Sequence, residues 1–471
     1  MIILTAAFPF VPAELNIAHF ASTYIPADIS CRLLQTVGED ALLVSATDYH
    51  SIYASANGVW AERTLCDDYH EKYQQLYSAM NVRFDRYITT EEETHRSNVI
   101  HTFLKMKESG LIYPGLDNDI VCEHCGCSLP ERFVKNTTSK RSCPFCGGTQ
   151  IAEINREHYF LKIRDSAAEL QSFSAGISQD DVRNIVLQYS CELNDDWDIT
   201  RYNHLGITVP EKSDQSFYIW FDSLIGYYSL AGLNDILPER MIHFIGKNII
   251  YHHTVLWQPI ARALMGRNTQ IDISARGFLN FDKTDVSMID PMLLSDKYEP
   301  DFIRFYIAFK VKDSIADYSF TEDDFVNIVN HYCCRTLGGF FYKVWYATKD
   351  CRIKNSSLVA KSMQTEEFIK EMRSKIDSFR IHDALRLILK RVENVRLQVP
   401  DRNEKLSPEE AEQLLYDTAV ILSFLSCYMP SVANRYSIFE DWVPSTIEDA
   451  GNCCLHNIKR EKELVKINAK Q

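Results

Sequence analysis

The chain reads as an α/β protein: a doubly wound parallel sheet, interrupted by an inserted module and followed by an α-helical bundle. Three observations predict this. The N-terminal residues run strand, helix, strand. Two Cys-x-x-Cys pairs and a change of texture begin near Tyr113. From Asp301 onward apolar residues recur at three- and four-residue spacing almost to the end.

Met1 to Ala7 carries Ile2, Ile3 and Leu4 in succession, which suits a buried strand. A Pro-broken loop follows, then Asn16 to Leu34 as a helix and Ala41 to Ala46 as a second apolar strand ending at Thr47-Asp48. Ligands of such sheets bind beyond the carboxyl ends of the strands. The segment from Tyr113 is Lys/Arg/Ser/Thr-rich with short mixed elements, as expected of an insert. Strand and helix signals return at Ser216 to Leu230 and at Met241 to Leu264. Helical spacing then marks Phe302–Ala308, Phe325–Trp345, His382–Val399 and Ala411–Ser426, the pattern of a bundle. The Lys-rich tail Ile458 to Gln471 reads as a last frayed helix. No internal repeat or low-complexity segment is present.

At 471 residues the chain is long enough for two to four domains. Hydrophobic residues make up 46% and charged residues 24%, as in ordinary globular proteins. The net charge of −14 suits solubility and disfavours stable binding of a polyanion, which draws on basic faces. The N-terminus lacks the basic flank and small-residue cleavage site of a signal peptide. No apolar run approaches the roughly 18 residues needed to span a bilayer. A cytoplasmic protein that does not enter the membrane is therefore expected.

Fourteen cysteines without an export signal point to reduced thiols and a metal site. Cys122-x-x-Cys125 and Cys143-x-x-Cys146 are separated by 17 residues, and Gly126 or Gly147 follows each pair. Four thiolates at this spacing predict a closed, structural Zn²⁺ site. Cys127 sits too close behind Cys125 to join it.

Several blocks of the chain resemble the class I aminoacyl-tRNA synthetases, and specifically the methionyl-tRNA synthetases. The first is Thr-Ala-Ala-Phe-Pro-Phe-Val-Pro-Ala-Glu-Leu-Asn-Ile-Ala-His-Phe over residues 5 to 20, where the family has His-x-Gly-His at the positions of Asn16, Ile17, Ala18 and His19. The second is Phe217 to Tyr227, in which Trp220, Asp222, Ile225, Gly226 and Tyr227 match and Ser223-Leu224 replaces Ala-Pro. The third is His243 to Trp257, beginning His-Phe-Ile-Gly-Lys-Asn, with Asn248 in place of an Asp. The resemblance implies a Rossmann-like class I catalytic domain with a zinc-knuckle insert and an α-helical C-terminal domain. The implied boundaries are 1–112 and 211–275 for the two catalytic halves, 113–210 for the insert, 276–323 for the catalytic loop and linking helix, and 324–471 for the anticodon-binding-like bundle.

Carried over residue by residue, the resemblance implies an amino-acid pocket of Ala7, Phe8, Phe10, Asp48, Trp220, Ser223, Tyr227, Ile249, His253 and Trp257. Asp48 would accept the substrate ammonium, a charge-assisted contact. Taken alone, an Asp after a strand reads as a helix cap, and an aromatic stretch as core. An apolar slot with aromatic walls fits a thioether side chain. Asn16, His19, Gly246, Asn248 and Ser287 fall on ATP-binding positions, and Arg201 on an arginine facing the phosphates.

The family's Lys-Met-Ser-Lys-Ser loop falls on Asp285, Val286, Ser287, Met288 and Ile289, so both lysines are lost; Lys283 is the candidate substitute. Asn16 cannot carry the charge of an imidazole. These losses remove cations from the place where phosphate charge develops. In the bundle, Asn394 matches an anticodon-reading Asn, but Asp401 stands where a stacking Trp is expected, which makes tRNA binding doubtful.

Three functions follow. The first is a paralogue that binds methionine or a close analogue and activates it with ATP and Mg²⁺ for ester or amide formation in a specialised pathway, with an unknown acyl acceptor. The second is a non-catalytic amino-acid-binding or regulatory protein. The third is a divergent methionine–tRNA ligase.

Overall fold

The computed structural model describes residues 1–50, 63–129, 142–143, 146–202, 204–229, 231–232, 237–266, 268–281, 289–351, 362–400, 406–439 and 443–450. The candidates Lys283 and Ser287, the substituted loop residues Asp285, Val286 and Met288, Asp401 and the tail Ile458 to Gln471 lie outside the described residues.

Five parallel strands form the central sheet: β1 (Ile2–Ala6), β2 (Ala41–Thr47), β3 (Arg86–Thr89), β4 (Arg240–Gly246) and β5 (Gln270–Arg276). Their order is β5-β4-β1-β2-β3. Ile2 pairs with Ala41 on one side and Arg240 on the other. The near-continuous apolar strands follow from burial on both faces. Ile3, Val44, Met241 and Ile273 point into one core and Leu4, Leu43, Ile242 and Phe244 into the other. The chain leaves β1 toward β2 and later returns to β1's opposite edge as β4. The switch point therefore lies between the carboxyl ends of β1 and β4, where doubly wound sheets place ligands.

Three helices stand around that point, and two of them carry a wide turn near their start. Ile17–His19, Phe20–Tyr24 and Ile25–Thr36 form one continuous helix, α1, with a wider π-type turn in its middle section. The helix α2 (Ile219–Ser229) precedes β4. A π-type turn at His252–Leu256 leads into α3 (Trp257–Met265). Such turns re-aim side chains and concentrate at functional sites.

The insert is built on an eleven-pair antiparallel hairpin of Ile112–Cys122 with Ile151–Leu161. Cys122, Leu129 and Cys143 form a small core of their own at its tip. A three-stranded sheet of Thr200–Tyr202, Thr208–Val209 and Lys212–Phe217 returns the chain to α2.

The C-terminal part is helical, as the spacing predicts, with α4 (Pro300–Lys310), α5 (Met363–Asp377), α6 (Ile381–Gln398) and α7 (Pro408–Tyr428) among its helices. α5, for which the sequence offered no separate expectation, packs on α6 through Phe368, Met372 and Ile376. Arg304 joins the bundle to the α/β core. It is fully buried and donates to Asp28 on α1 (2.5 Å) and to the carbonyls of Asn81, Cys427 and Tyr428. Among the described residues no helix is long and apolar enough to cross a membrane.

Candidate functional site

Asp48 ends the run that begins as β2, and the loop after β1 is laced to it. Asp48 N–H donates to the Pro9 carbonyl (2.8 Å) and Val11 N–H to the Asp48 carbonyl (3.0 Å). Ala7 N–H donates to Phe244 O at 3.1 Å, which ties the same loop to β4. Ala7, Phe8 and Asp48 thus meet at the switch point. Phe10 bridges to Asp48 through its backbone and turns its ring outward, 39% exposed.

The Asp48 carboxylate is buried. It accepts from His50 N–H (2.9 Å) and from the Ser223 hydroxyl on α2. The first bond is the local turn a lone Asp makes anyway; the second is made only because α2 packs across the strand end. The neighbouring Asp222 is fully buried and faces His50 Nδ1 at 2.9 Å, while His50 Nε2 faces Glu91 at 2.8 Å. Burial, then the nearby Asp222 charge, pushes Asp48 up to about 7. Burial works against a charged His50, but Asp222 with Glu91 and Asp48 outweighs it and raises the imidazole to about 10. Both His50 nitrogens face acceptor-only carboxylates, so both donate. That leaves no lone pair for a metal, although Asp48, His50 and Asp222 are close enough together to hold one. The cluster instead suits an ammonium group.

Beside it lies an aromatic chamber. Phe8 and Tyr227 stand 4.5 Å apart between ring centroids, and Trp257 closes the far side of Tyr227 at 6.3 Å. His253 Nδ1 donates to the Ile249 carbonyl (3.0 Å), so its Nε2 accepts from the Tyr227 hydroxyl (2.8 Å). Burial lowers His253 to about 4, which keeps it neutral in this role. Trp220 stacks on His252 at 3.9 Å and meets His253 edge-on at 5.9 Å. His243 completes the group, packed on Tyr227 (4.8 Å) and Trp257 (5.5 Å) and bonded to the Thr5 hydroxyl at 2.6 Å, and burial keeps it neutral.

At the start of α1 the Asn16 side chain accepts from Ala18 N–H (3.0 Å), and His19 Nδ1 accepts from Asn16 N–H (3.1 Å). This reciprocal cap leaves His19 Nε2 as the proton-bearing nitrogen. Although its side chain reaches the surface, the packing around the ring disfavours its charged form. Gly246 ends β4, and a Cβ there would meet Asn248 Oδ1 at 2.8 Å; Asn248 itself is exposed. Lys247 is tied to Asp317 at 2.6 Å. Arg201 donates to Asp198 and to the Thr200 carbonyl and stacks on Tyr218 at 4.2 Å. Its described contacts lie within the insert and the segment leading into α2.

At the hairpin tip the Cys122, Cys125, Cys143 and Cys146 sulfurs all lie within 4.8 Å of one another. Cys122–Cys146 is 3.5 Å and Cys125–Cys143 3.8 Å. Tetrahedral Zn–S bonds of about 2.3 Å require S···S separations of about 3.8 Å, so the donor set fits Zn²⁺. Gly126 and Gly147 adopt φ of 72° and 74° and donate back to the Cys122 and Cys143 carbonyls. A side chain would strain either turn. Cys127 lies outside the cluster.

Comparison with known proteins bears on this arrangement. Residues 2–345 match the family model described as tRNA synthetases class I (M). The chain belongs to this class I tRNA synthetase family. It is 26% identical to the methionine–tRNA ligase of Methanocaldococcus jannaschii over 91% of this chain and 74% of that protein. It is 25% identical to that of Methanopyrus kandleri over the whole chain and 78% of that protein. The structure of Mycobacterium tuberculosis methionyl-tRNA synthetase bound by methionyl-adenylate superimposes with a TM-score of 0.78 at 19% identity, covering 98% of this chain and 99% of that one. At that identity the likeness speaks for the fold.

Within this family's frame, the fold brings together Ala7, Phe8, Asp48, Trp220, Ser223, Tyr227, His253 and Trp257, with Ile249 at the edge through its carbonyl and Phe10 present through its backbone while its side chain is exposed. It sets Asn16 and His19 at the opposite side of the β1 loop. Sequence reasoning missed His50 and Glu91, and saw Asp222 only as a matching letter. Nothing in spacing marks them: His50 and Asp222 are 172 residues apart. The one available signal was a His two residues after the expected carboxylate.

Proposed function

We propose that the protein binds L-methionine or a close thioether analogue, with the α-ammonium on Asp48 and the side chain among Phe8, Trp220, Tyr227, Ile249, His253 and Trp257. The observation that carries this is the junction of a buried, uncompensated carboxylate with an aromatic chamber at the switch point. The methionine specificity in the names of the relatives supports the choice of side chain.

The activity we assign is slow activation of that amino acid by ATP and Mg²⁺ for ester or amide formation in a specialised pathway. The altered loop and the capping of Asn16 by its own helix support a weakened phosphate site. Zn²⁺ on the four cysteines is structural, and tRNA is bound weakly. Isothermal titration across proteinogenic amino acids and thioether analogues tests the binding step; no heat with any of them would overturn it. A second reading, a working methionine–tRNA ligase, is favoured by similarity extending over the whole chain, bundle included. Methionine-dependent ATP–pyrophosphate exchange and charging of methionine tRNA at ordinary rates would decide for it.

A further inference from the structure

The buried charges around Asp48 do not balance, and their imbalance is structured. Asp48 and Asp222 flank one hydroxyl: Ser223 Oγ donates to Asp48 and its oxygen lies 3.5 Å from Asp222 Oδ1. Both carboxylates are nearly or fully buried, and two such anions beside one shared proton cannot both ionise without a cation. The cation is His50, itself buried, gripped between Asp222 and the half-exposed rim residue Glu91.

The other groups facing this pair do not supply charge. From the helix Glu93–Glu108, His95 is kept neutral by burial and spends Nδ1 on Ser229, and Arg96 acts at a distance. From the insert, His204 is kept neutral by burial. Burial also keeps Cys66, on the helix Arg63–Ala79, in its thiol form, and Asp67 on that helix accepts from Tyr49. Tyr227 on α2 is a neutral phenol.

We infer that His50 is a positioning residue for the amino-acid substrate: held as a cation between Glu91 and Asp222, it fixes Asp222, and beside the shared Ser223 hydroxyl it favours the Asp48 anion and keeps it aimed at the substrate's α-ammonium. The inference rests on the methionine-binding reading above. It separates two roles that look alike in the sequence. Asp48 touches the substrate, whereas Asp222 and Glu91 hold His50 between them, so the one cation is already engaged and Asp48 is left for the ligand to neutralise.

The consequence is a pH dependence with a definite sign. Binding needs the Asp48 anion, so affinity falls as pH drops. With Asp48 half-protonated near pH 7, affinity for L-methionine should fall about tenfold from pH 8 to pH 6. His50→Gln keeps a side-chain donor but removes the charge. Asp48 then loses the cation that favours its anion while Asp222 still stands beside it, and the midpoint of the fall should move up by about one pH unit or more. Glu91→Gln removes an anion while Asp222 still holds His50 charged, so it should move the midpoint down, by less.

The experiment is calorimetric titration of L-methionine into the full chain and both variants between pH 6 and 8.5. A raised midpoint in His50→Gln and a lowered one in Glu91→Gln support the inference. Equal weakening at every pH, as a merely structural role would give, overturns it, and so does a wild-type midpoint in both variants. If His50→Gln does not fold, the Glu91→Gln profile decides alone. Failure of the wild-type protein to bind any amino acid is a separate outcome: it sinks the functional reading and the inference with it.

Discussion

Asp48→Asn should make the protein more stable at pH 8 while removing amino-acid binding. Asp48 is 3% exposed, and its carboxyl titrates near 7 in the fold against 3.8 ordinarily. A raised carboxyl pKa means that the fold disfavours the anion. The cost is absent below about pH 4, grows between pH 4 and pH 7, and is constant above. About three pH units at ~1.4 kcal/mol each set a ceiling near 4 kcal/mol. Relaxation around a buried charge reduces this, and we expect about 2–4 kcal/mol at pH 8 and about 1 kcal/mol or less at pH 5. The amide can still accept from His50 N–H, so the local turn survives. Urea denaturation of both proteins at pH 5, 6, 7 and 8 reads the difference, and titration of L-methionine at pH 8 reads the loss of binding. A stability difference that is flat with pH, or a variant less stable than the wild type at pH 8, would refute the assignment of Asp48 as an uncompensated buried carboxylate. Retained methionine affinity would refute its role toward the ammonium.

Protein purified without chelator should carry about one zinc per chain by metal analysis, and Cys122→Ser should lose it; a zinc content near zero in the wild type counts against the site. Arg304→Met should cost about 2–4 kcal/mol in chemical denaturation, because it leaves the buried Asp28 carboxylate with Arg32 (2.8 Å) as its one remaining cation and removes the donor from the Asn81, Cys427 and Tyr428 carbonyls; a loss below about 1 kcal/mol would count against the contact as a structural bolt. Methionine-dependent ATP–pyrophosphate exchange should run several orders of magnitude below that of a housekeeping ligase, since each missing transition-state contact costs a factor of about 10²–10³; His19→Ala should lower any residual exchange further, and an ordinary wild-type rate would contradict the weakened phosphate site.

Much of this molecule is written in short-range pattern. The buried strands Ile2–Ala6 and Ala41–Thr47 announce themselves as apolar runs because both faces of the sheet are covered. The four cysteines are legible because each knuckle closes within a few residues of its own pair, so spacing alone carries the geometry. The pocket residues are legible through blocks of family-like sequence, each a contiguous piece of one element. What the chain could not announce are contacts made only when distant elements pack. The Asp28–Arg304 bolt spans 276 residues, and the His50–Asp222 clamp joins a strand end to a helix of another segment. Such ion pairs obey no period, and their consequences depend on burial, which belongs to the packed core and not to the local sequence. The sequence determined the fold, the spacing of the four clustered cysteines and which side chains were expected at the pocket. Only the tertiary structure decided which carboxylate at the switch point is left without a cation of its own, because that depends on where His50 sits.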